Sequence, residues 1–128
     1  MGADPLKSTV LIVDDEKLQA ETTGHFLTLQ GFSTKVFIDS KAALVWFREH
    51  SQEVAVVLLD YKMPTVNGRM FLREVREITE LTKVALVTGF RREDLPPLSE
   101  YGVAHFFRKP VRLEKLGAWV KQSLESEP

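Results

Sequence analysis

The feature that most constrains this chain is a set of short apolar runs, most of them rich in β-branched residues, that alternate with longer segments of helical period. Thr9 to Val13 ends on Asp14 and Asp15, Val54 to Leu59 ends on Asp60, Val84 to Val87 ends on Thr88, and Ala104 to Phe107 ends near Lys109. Thr34 to Phe37 is a shorter run of the same kind. Strand signals alternating with helix signals specify a parallel α/β sheet.

The intervening segments read as helices. Glu16 to Gln30 carries Leu18, Phe26 and Leu29 among polar residues and stops at Gly31. Asp39 or Ser40 caps a second helix to about His50, with Ala43, Trp46 and Phe47 on one side. The uninterrupted VAVVLL of Val54 to Leu59 is what a central strand covered on both faces needs. A turn-prone loop with Pro64, Asn67 and Gly68 leads to a third helix over Arg69 to Leu81, where Met70, Phe71, Val75 and Ile78 recur at helical spacing. A fourth helical connection is expected over Arg91 to Tyr101, with Pro96 and Pro97 making it the least regular. The fifth helix, Val111 to about Leu124, places Leu113, Leu116, Val120 and Leu124 on one stripe. The organisation expected is an N-terminal extension over 1–8 and one domain over 9–126.

Bulk properties narrow the function classes. A chain of 128 residues is long enough to bury one core without metals or disulfides. Its 17 basic and 18 acidic residues leave a formal charge of -1, which supplies no general attraction to nucleic acid or an anionic membrane. With no cysteine there is no disulfide, thiolate metal site or Cys nucleophile. Met1 to Lys7 has no apolar core of signal-peptide length, and no later run approaches a membrane span, so a cytoplasmic location is expected.

In an open doubly wound sheet, ligands sit beyond the carboxyl ends of the strands, so residues ending different strands converge. Here that edge collects Asp14, Asp15, Asp60, Thr88 and Lys109. Three carboxylates in a partly desolvated crevice repel one another, and a divalent cation or proton uptake relieves the cost. Mg²⁺ suits the set, because it takes oxygen ligands and is commonly held by one or two carboxylates plus a phosphoryl oxygen; Mn²⁺ is the alternative ion. A carboxylate is a nucleophile for forming an aspartyl phosphate once a cation offsets repulsion from the donor. Asp60, at the end of the central apolar strand, is the best candidate. Lys109 then supplies positive charge to the phosphoryl oxygens and the Thr88 hydroxyl a hydrogen bond.

From about Thr9 to Leu124 the chain resembles bacterial-type response-regulator receiver domains. The matching pieces are VLIVDD (Val10 to Asp15), VVLLDYKMPTVNG (Val56 to Gly68), VTG (Val87 to Gly89) and FFRKP (Phe106 to Pro110), in that order and spacing. The resemblance implies a flavodoxin-like sheet of order 2-1-3-4-5 with five helices. It makes Asp60 the phosphorylation site, with Mg²⁺ bound by Asp15, Asp60 and the backbone carbonyl of Lys62, and Asp14 acting mainly through bound water. It also implies a cis Lys109 to Pro110 peptide, which the base rate of about 5% for such bonds would not license. The implied partners are a cognate histidine kinase or phosphotransfer protein and a downstream partner at the face of helix four, strand five and helix five, with a homodimer admitted. The implied activity is a two-component signalling switch that phosphorylates and dephosphorylates itself but is otherwise no enzyme.

An added phosphoryl brings roughly 1.5 to 2 negative charges, and Thr88 is expected to move toward it. By the resemblance, Phe106 stands where an aromatic residue fills the space that Thr88 leaves. The usual Tyr has a hydroxyl to anchor an exposed state and Phe has none, so Phe106 is expected to favour the inward position even without phosphate. The resemblance also implies that Lys62 and Phe90, two residues beyond Asp60 and Thr88, flank the path of the hydrolytic water, and Phe90 is expected to shield the acyl phosphate.

Each of these residues has a plainer reading. Asp14 and Asp15 suit a helix N-terminus, Asp60 a solvated strand end, Thr88 a turn, Lys109 the surface and Phe106 the core; their joint occurrence favours chemistry. His25, His50 and His105 lack metal-ligand spacing, and Trp46 and Trp119 suit core or interface. Other functions remain open. One is a phosphorylation-independent interaction module, and another is a receiver domain belonging to a hybrid kinase or longer regulator. A small aspartyl-phosphate phosphatase would want paired acids two residues apart, whereas Asp60 is followed by Tyr61 and Lys62. A flavodoxin-like cofactor binder would want a Gly-rich phosphate loop after strand one, which is missing.

Overall fold

In a computed structural model of the chain, residues 8–63, 65–95, 97 and 101–125 are described. The apolar runs form strands β1 (Thr9–Val13), β2 (Ser33–Phe37), β3 (Val54–Leu59), β4 (Lys83–Thr88) and β5 (Val103–Arg108). They lie in the order β2-β1-β3-β4-β5, and all four neighbouring pairs are parallel. β3 is the central strand, flanked by β1 and β4, which is why its side chains are apolar on both faces.

Helices α1 (Lys17–Leu29), α2 (Ser40–His50), α3 (Gly68–Ile78) and α4 (Leu113–Glu125) connect and cover the strands. One core cluster joins Leu11, Val13, Val57, Leu59 and Leu86 to Phe47 of α2 and to Phe71, Leu72 and Val75 of α3. The other joins Val10, Ile12, Val56, Leu58 and Ala85 to Leu27 of α1 and to Leu116 and Val120 of α4. Alternate residues of each strand thus feed opposite layers, the arrangement a doubly wound sheet demands. Phe47 and Phe71 are fully buried, and truncating either to Ala would cost about 3–5 kcal/mol.

Local chemistry explains the boundaries. α1 closes in a Schellman motif: Gly31, at φ 97, donates its N–H to the Thr28 carbonyl, and Phe32 donates to that of Leu27. Asp39 caps α2 by accepting from the Lys41 N–H, and Asn67 caps α3 by accepting from the Met70 N–H. α3 stops at Ile78 and not at Leu81, because Thr79 turns extended and its hydroxyl accepts from the Leu81 N–H. The inner face of α1 is Ala20, Thr23, Gly24 and Leu27, which leaves Leu18 and Leu29 exposed.

The expected count of five helices is corrected to four. Among the described residues, the β4–β5 connection contains no α-helix: it makes a 3-10 turn, Arg92–Asp94, before Leu95 becomes extended. Pro96 disfavours the helical region for the residue before it, and a proline inside a helix also removes a hydrogen bond. Residues 96 and 98–100, the rest of the expected helix, lie outside the described residues. The last helix of the sequence reading is therefore α4. The start of β5 is instead held by Arg76 of α3, whose guanidinium donates to the carbonyls of Tyr101, Gly102, Thr79 and Thr82.

Candidate functional site

At the carboxyl edge of the sheet, β1 and β3 end side by side. The Asp60 N–H donates to the Val13 carbonyl at 2.9 Å, and the Asp14 N–H donates to the Phe37 carbonyl at 3.1 Å, so sheet hydrogen bonding sets where both acids emerge. Carboxylate oxygens of Asp14, Asp15 and Asp60 all lie within 4.8 Å of one another. Asp14 and Asp60 are buried and Asp15 is exposed.

Lys109, immediately after β5, reaches this cluster. Its Nζ lies 2.9 Å from Asp14 Oδ2, 3.0 Å from Glu16 Oε1 and 3.2 Å from Asp60 Oδ2. Its backbone N–H donates to the Thr88 carbonyl at 2.8 Å, extending the β4–β5 pairing by one residue, and the Lys109–Pro110 peptide is cis. Asp14 does two jobs at once, since its Oδ1 also accepts the Glu16 N–H at 3.0 Å in a turn that leads into α1. The helix-entry and site readings of this acid are thus compatible.

The electrostatics follow from that crowding. Burial pushes the Asp60 carboxyl up to about 6; Lys109 opposes the shift, while the charges of Asp14 and Asp15 add to it. Burial disfavours the charged form of Lys109, but the hydrogen bonds it donates to Asp14 and Glu16 and the charges of Asp60 and Asp14 outweigh it and hold the ammonium above the usual lysine range. Four carboxylates, Asp14, Asp15, Glu16 and Asp60, outnumber Lys109 among them and Lys62 in the cavity lining, so the site retains net negative charge. Three close oxygens of hard carboxylates, two of them buried, fit Mg²⁺ or Mn²⁺.

Beside the acids lies an open cavity of about 920 Å³, lined by Asp15, Asp60, Lys62, Thr88, Phe90 and Lys109 among others. Thr88 is wholly buried, and its hydroxyl accepts the Phe90 N–H at 3.3 Å. At the rim, Lys62 Nζ stands 5.8 Å from the centroid of the Phe90 ring, and Tyr61 meets the same ring edge-on at 6.3 Å. Gly68 supports this loop: its N–H donates to the Tyr61 carbonyl at 2.7 Å, and a Cβ would come within 2.7 Å of the Tyr61 Cα.

The fold therefore brings Asp14, Asp15, Asp60, Lys62, Thr88, Phe90 and Lys109 to one place. Phe106 is outside the cavity lining, partly buried against the α2–α3 core layer, with the Arg92 guanidinium 6.0 Å from its ring centroid. His50 bonds the Trp46 carbonyl and stacks on that indole, while His105 stacks on Trp119 and meets Phe107 at a tilt, so neither approaches the acids. Glu16, Gln19 and Met63 line the cavity unforeseen. For Glu16 a signal existed, as it directly continues the Asp14–Asp15 pair.

Comparison with known proteins points the same way. The family model described as "Response regulator receiver domain" matches residues 10–121. The chain is 29% identical over 121 residues to the regulatory protein VanRc of Enterococcus gallinarum, covering 93% of this chain and 51% of that one. It is 31% identical over 128 residues to the DNA-binding response regulator MtrA of Mycolicibacterium smegmatis, covering 98% and 55%. With the sensor kinase CckA of Brucella abortus the figures are 30% over 124 residues, 94% and 13%. The chain thus spans about half the length or less of these curated relatives. Among solved structures, a response regulator receiver domain from Clostridium thermocellum superposes with a TM-score of 0.84 at 28% identity, covering 91% of this chain and 94% of that one. Among the described residues no helix is long and apolar enough to cross a membrane. A family match over nearly all of the strand-helix repeat, together with the acids and lysine gathered at its carboxyl edge, identifies the chain as a member of the response regulator receiver domain family.

Proposed function

We propose that the chain is a phosphorylation-dependent switch of a two-component system, accepting a phosphoryl group on Asp60 from a histidine kinase or phosphotransfer protein. The observation that carries this reading is the position of the Asp60 carboxylate. It is buried, 3.2 Å from the Lys109 ammonium, within reach of two further acids, and open to a cavity wide enough for a phosphodonor.

Asp15, Asp60 and the Lys62 carbonyl would hold Mg²⁺ or Mn²⁺, with Asp14 acting through water. The ion supplies charge neutralisation between the attacking carboxylate and the anionic donor. The protein's own residues do the rest. An Asp60 oxygen forms its bond to phosphorus as the bond from phosphorus to the donor's histidine nitrogen breaks and the electron pair leaves on that nitrogen; Lys109 neutralises a phosphoryl oxygen, and Thr88 turns its hydroxyl toward the new group. Lys62 and Phe90 limit the approach of water, so the chain sets its own phosphoryl lifetime and catalyses nothing else. Phe106 follows Thr88, and the surface of the β4–β5 connection, β5 and α4 changes its preference for a downstream partner or a second copy. In this reading the chain is a cytoplasmic regulator with its receiver unit over 9–126, and its formal charge of -1 supplies no general attraction to nucleic acid or an anionic membrane. The greater length of the curated relatives favours an output carried by an attached or separate partner.

Incubation with acetyl phosphate and Mg²⁺ followed by intact-mass measurement tests the reading. One phosphoryl increment, absent in Asp60→Asn and in EDTA, is expected. No increment in the intact chain would favour a phosphorylation-independent interaction module.

A further inference from the structure

An ammonium group has three N–H donors and no acceptor. In Lys109 all three have a carboxylate within reach: Asp14 at 2.9 Å, Glu16 at 3.0 Å and Asp60 at 3.2 Å. A phosphoryl oxygen arriving at Asp60 needs one of those donors, so one carboxylate must give way. The side chains of Asp14 and Asp60 are only 8% and 7% exposed, whereas that of Glu16 is 64% exposed. Asp14 is further tied by the Glu16 N–H, and no capping bond holds the Glu16 side chain. Glu16 is the partner that leaves at least cost.

We infer that Glu16 is a positioning residue that holds Lys109 at rest and competes with the incoming phosphoryl group for the ammonium. The inference rests on the reading of Asp60 as phosphoacceptor. In the step concerned, an Asp60 oxygen forms a bond to phosphorus while the bond from phosphorus to the donor's bridging oxygen breaks. With acetyl phosphate, acetate departs with the electron pair, and neither proton nor electron is exchanged with the protein. Lys109 only changes partner, from the Glu16 carboxylate to the phosphoryl oxygen. Glu16 thereby slows entry of the phosphoryl twice, by occupying a donor and by placing an anion beside the phosphoryl's destination.

The test compares the wild type with E16Q and E16D, measuring phosphorylation rates with acetyl phosphate and Mg²⁺ by intact mass. E16Q should react about two- to fivefold faster, the range that loss of a largely exposed ion pair allows. E16D keeps the charge but withdraws it by one methylene and prefers to cap α1, so it should also react faster than the wild type. If Glu16 acted only as a nearby negative charge, E16D would match the wild type. A second readout follows the Lys109 ¹⁵Nζ ammonium signal, which should be protected from exchange in the wild type and lose that protection in both variants while their melting temperatures stay within a few degrees. A wild type that takes up no phosphoryl overturns the Asp60 reading itself. A wild type that is modified, with E16Q no faster or E16D unchanged, overturns the role of Glu16 alone.

Discussion

The hydroxyl of Thr88, wholly buried at the end of β4, accepts a hydrogen bond from the backbone N–H of Phe90 at 3.3 Å. The residue expected to turn toward a phosphoryl group is thus bound to the loop that bears the aromatic shield. Any rotation of Thr88 releases the Phe90 N–H, so switching and shielding share one bond. Thr88→Val keeps the shape and removes the acceptor. Its stability should fall by about 1–2 kcal/mol in urea unfolding, and phosphorylation-induced NMR shifts should no longer spread from β4 into β5. Shifts in β5 equal to those of the wild type would show that Thr88 does not transmit the change.

Phe90 itself stands between Tyr61 and Lys62 at the rim of the cavity. Removing the ring in Phe90→Ala opens that rim to water without touching an acid or Lys109. Loss of the phosphoryl group should accelerate on the order of three- to tenfold, equivalent to about 0.7–1.4 kcal/mol of barrier. The decay of the phosphorylated mass after donor removal measures it, and an unchanged half-life would count against shielding.

Phe106 is partly buried against the α2–α3 layer. Without a hydroxyl to anchor an exposed state it is expected to rest inward, and Phe106→Tyr supplies the hydroxyl that an outward state needs. The variant should show a larger phosphorylation-dependent change in ring exposure than the wild type. NOEs from the Phe106 ring to core methyl groups of the unphosphorylated wild type would be present on this reading, and a solvent-exposed ring without them would sink it.

The strand ends were legible because parallel strands place their carboxyl termini at one edge whatever their separation in sequence. Asp14, Asp15, Asp60, Thr88 and Lys109 needed no knowledge of packing, only of where each apolar run stops. Glu16 was missed because it reads as the first residue of a helix, and only the reach of Lys109 across the sheet makes it a partner. The helix that the resemblance implies over Arg91 to Tyr101 gives way to a 3-10 turn at Arg92–Asp94 because Pro96 and Pro97, visible in the sequence, restrict the backbone that precedes them.

Arg76 shows the same limit from the side of stability. On α3 it reads as one more exposed basic residue, yet its guanidinium donates to four backbone carbonyls, at the end of α3 and at the starts of β4 and β5. A planar fork of five donors does this and a lysine ammonium does not. Arg76→Ala should destabilise the fold by about 2–4 kcal/mol, and Arg76→Lys should recover less than half of that in urea unfolding. Full recovery by lysine would mean that charge alone matters there.

The Asp60 carboxyl, raised from 3.8 to about 6 chiefly by burial against the pull of Lys109, makes stability depend on pH in a stated direction. A carboxyl whose folded pKa exceeds its unfolded value stabilises the fold while protonated. Its contribution is fully present below about pH 4 and is lost as pH rises through about 6. In EDTA, Asp60→Asn should therefore match the wild type near pH 4 and exceed it at pH 8 by about 1–3 kcal/mol, the upper end being the full shift and the lower end allowing for the open, solvated pocket. Adding Mg²⁺ at pH 8 should narrow the gap, because an ion that binds only the folded wild type stabilises it by mass action. Urea unfolding at the two pH values, with and without the ion, measures all four quantities. An Asp60→Asn chain no more stable than the wild type at pH 8 in EDTA would mean that the Asp60 charge is already well balanced by Lys109, and that the crowded acids need no added cation.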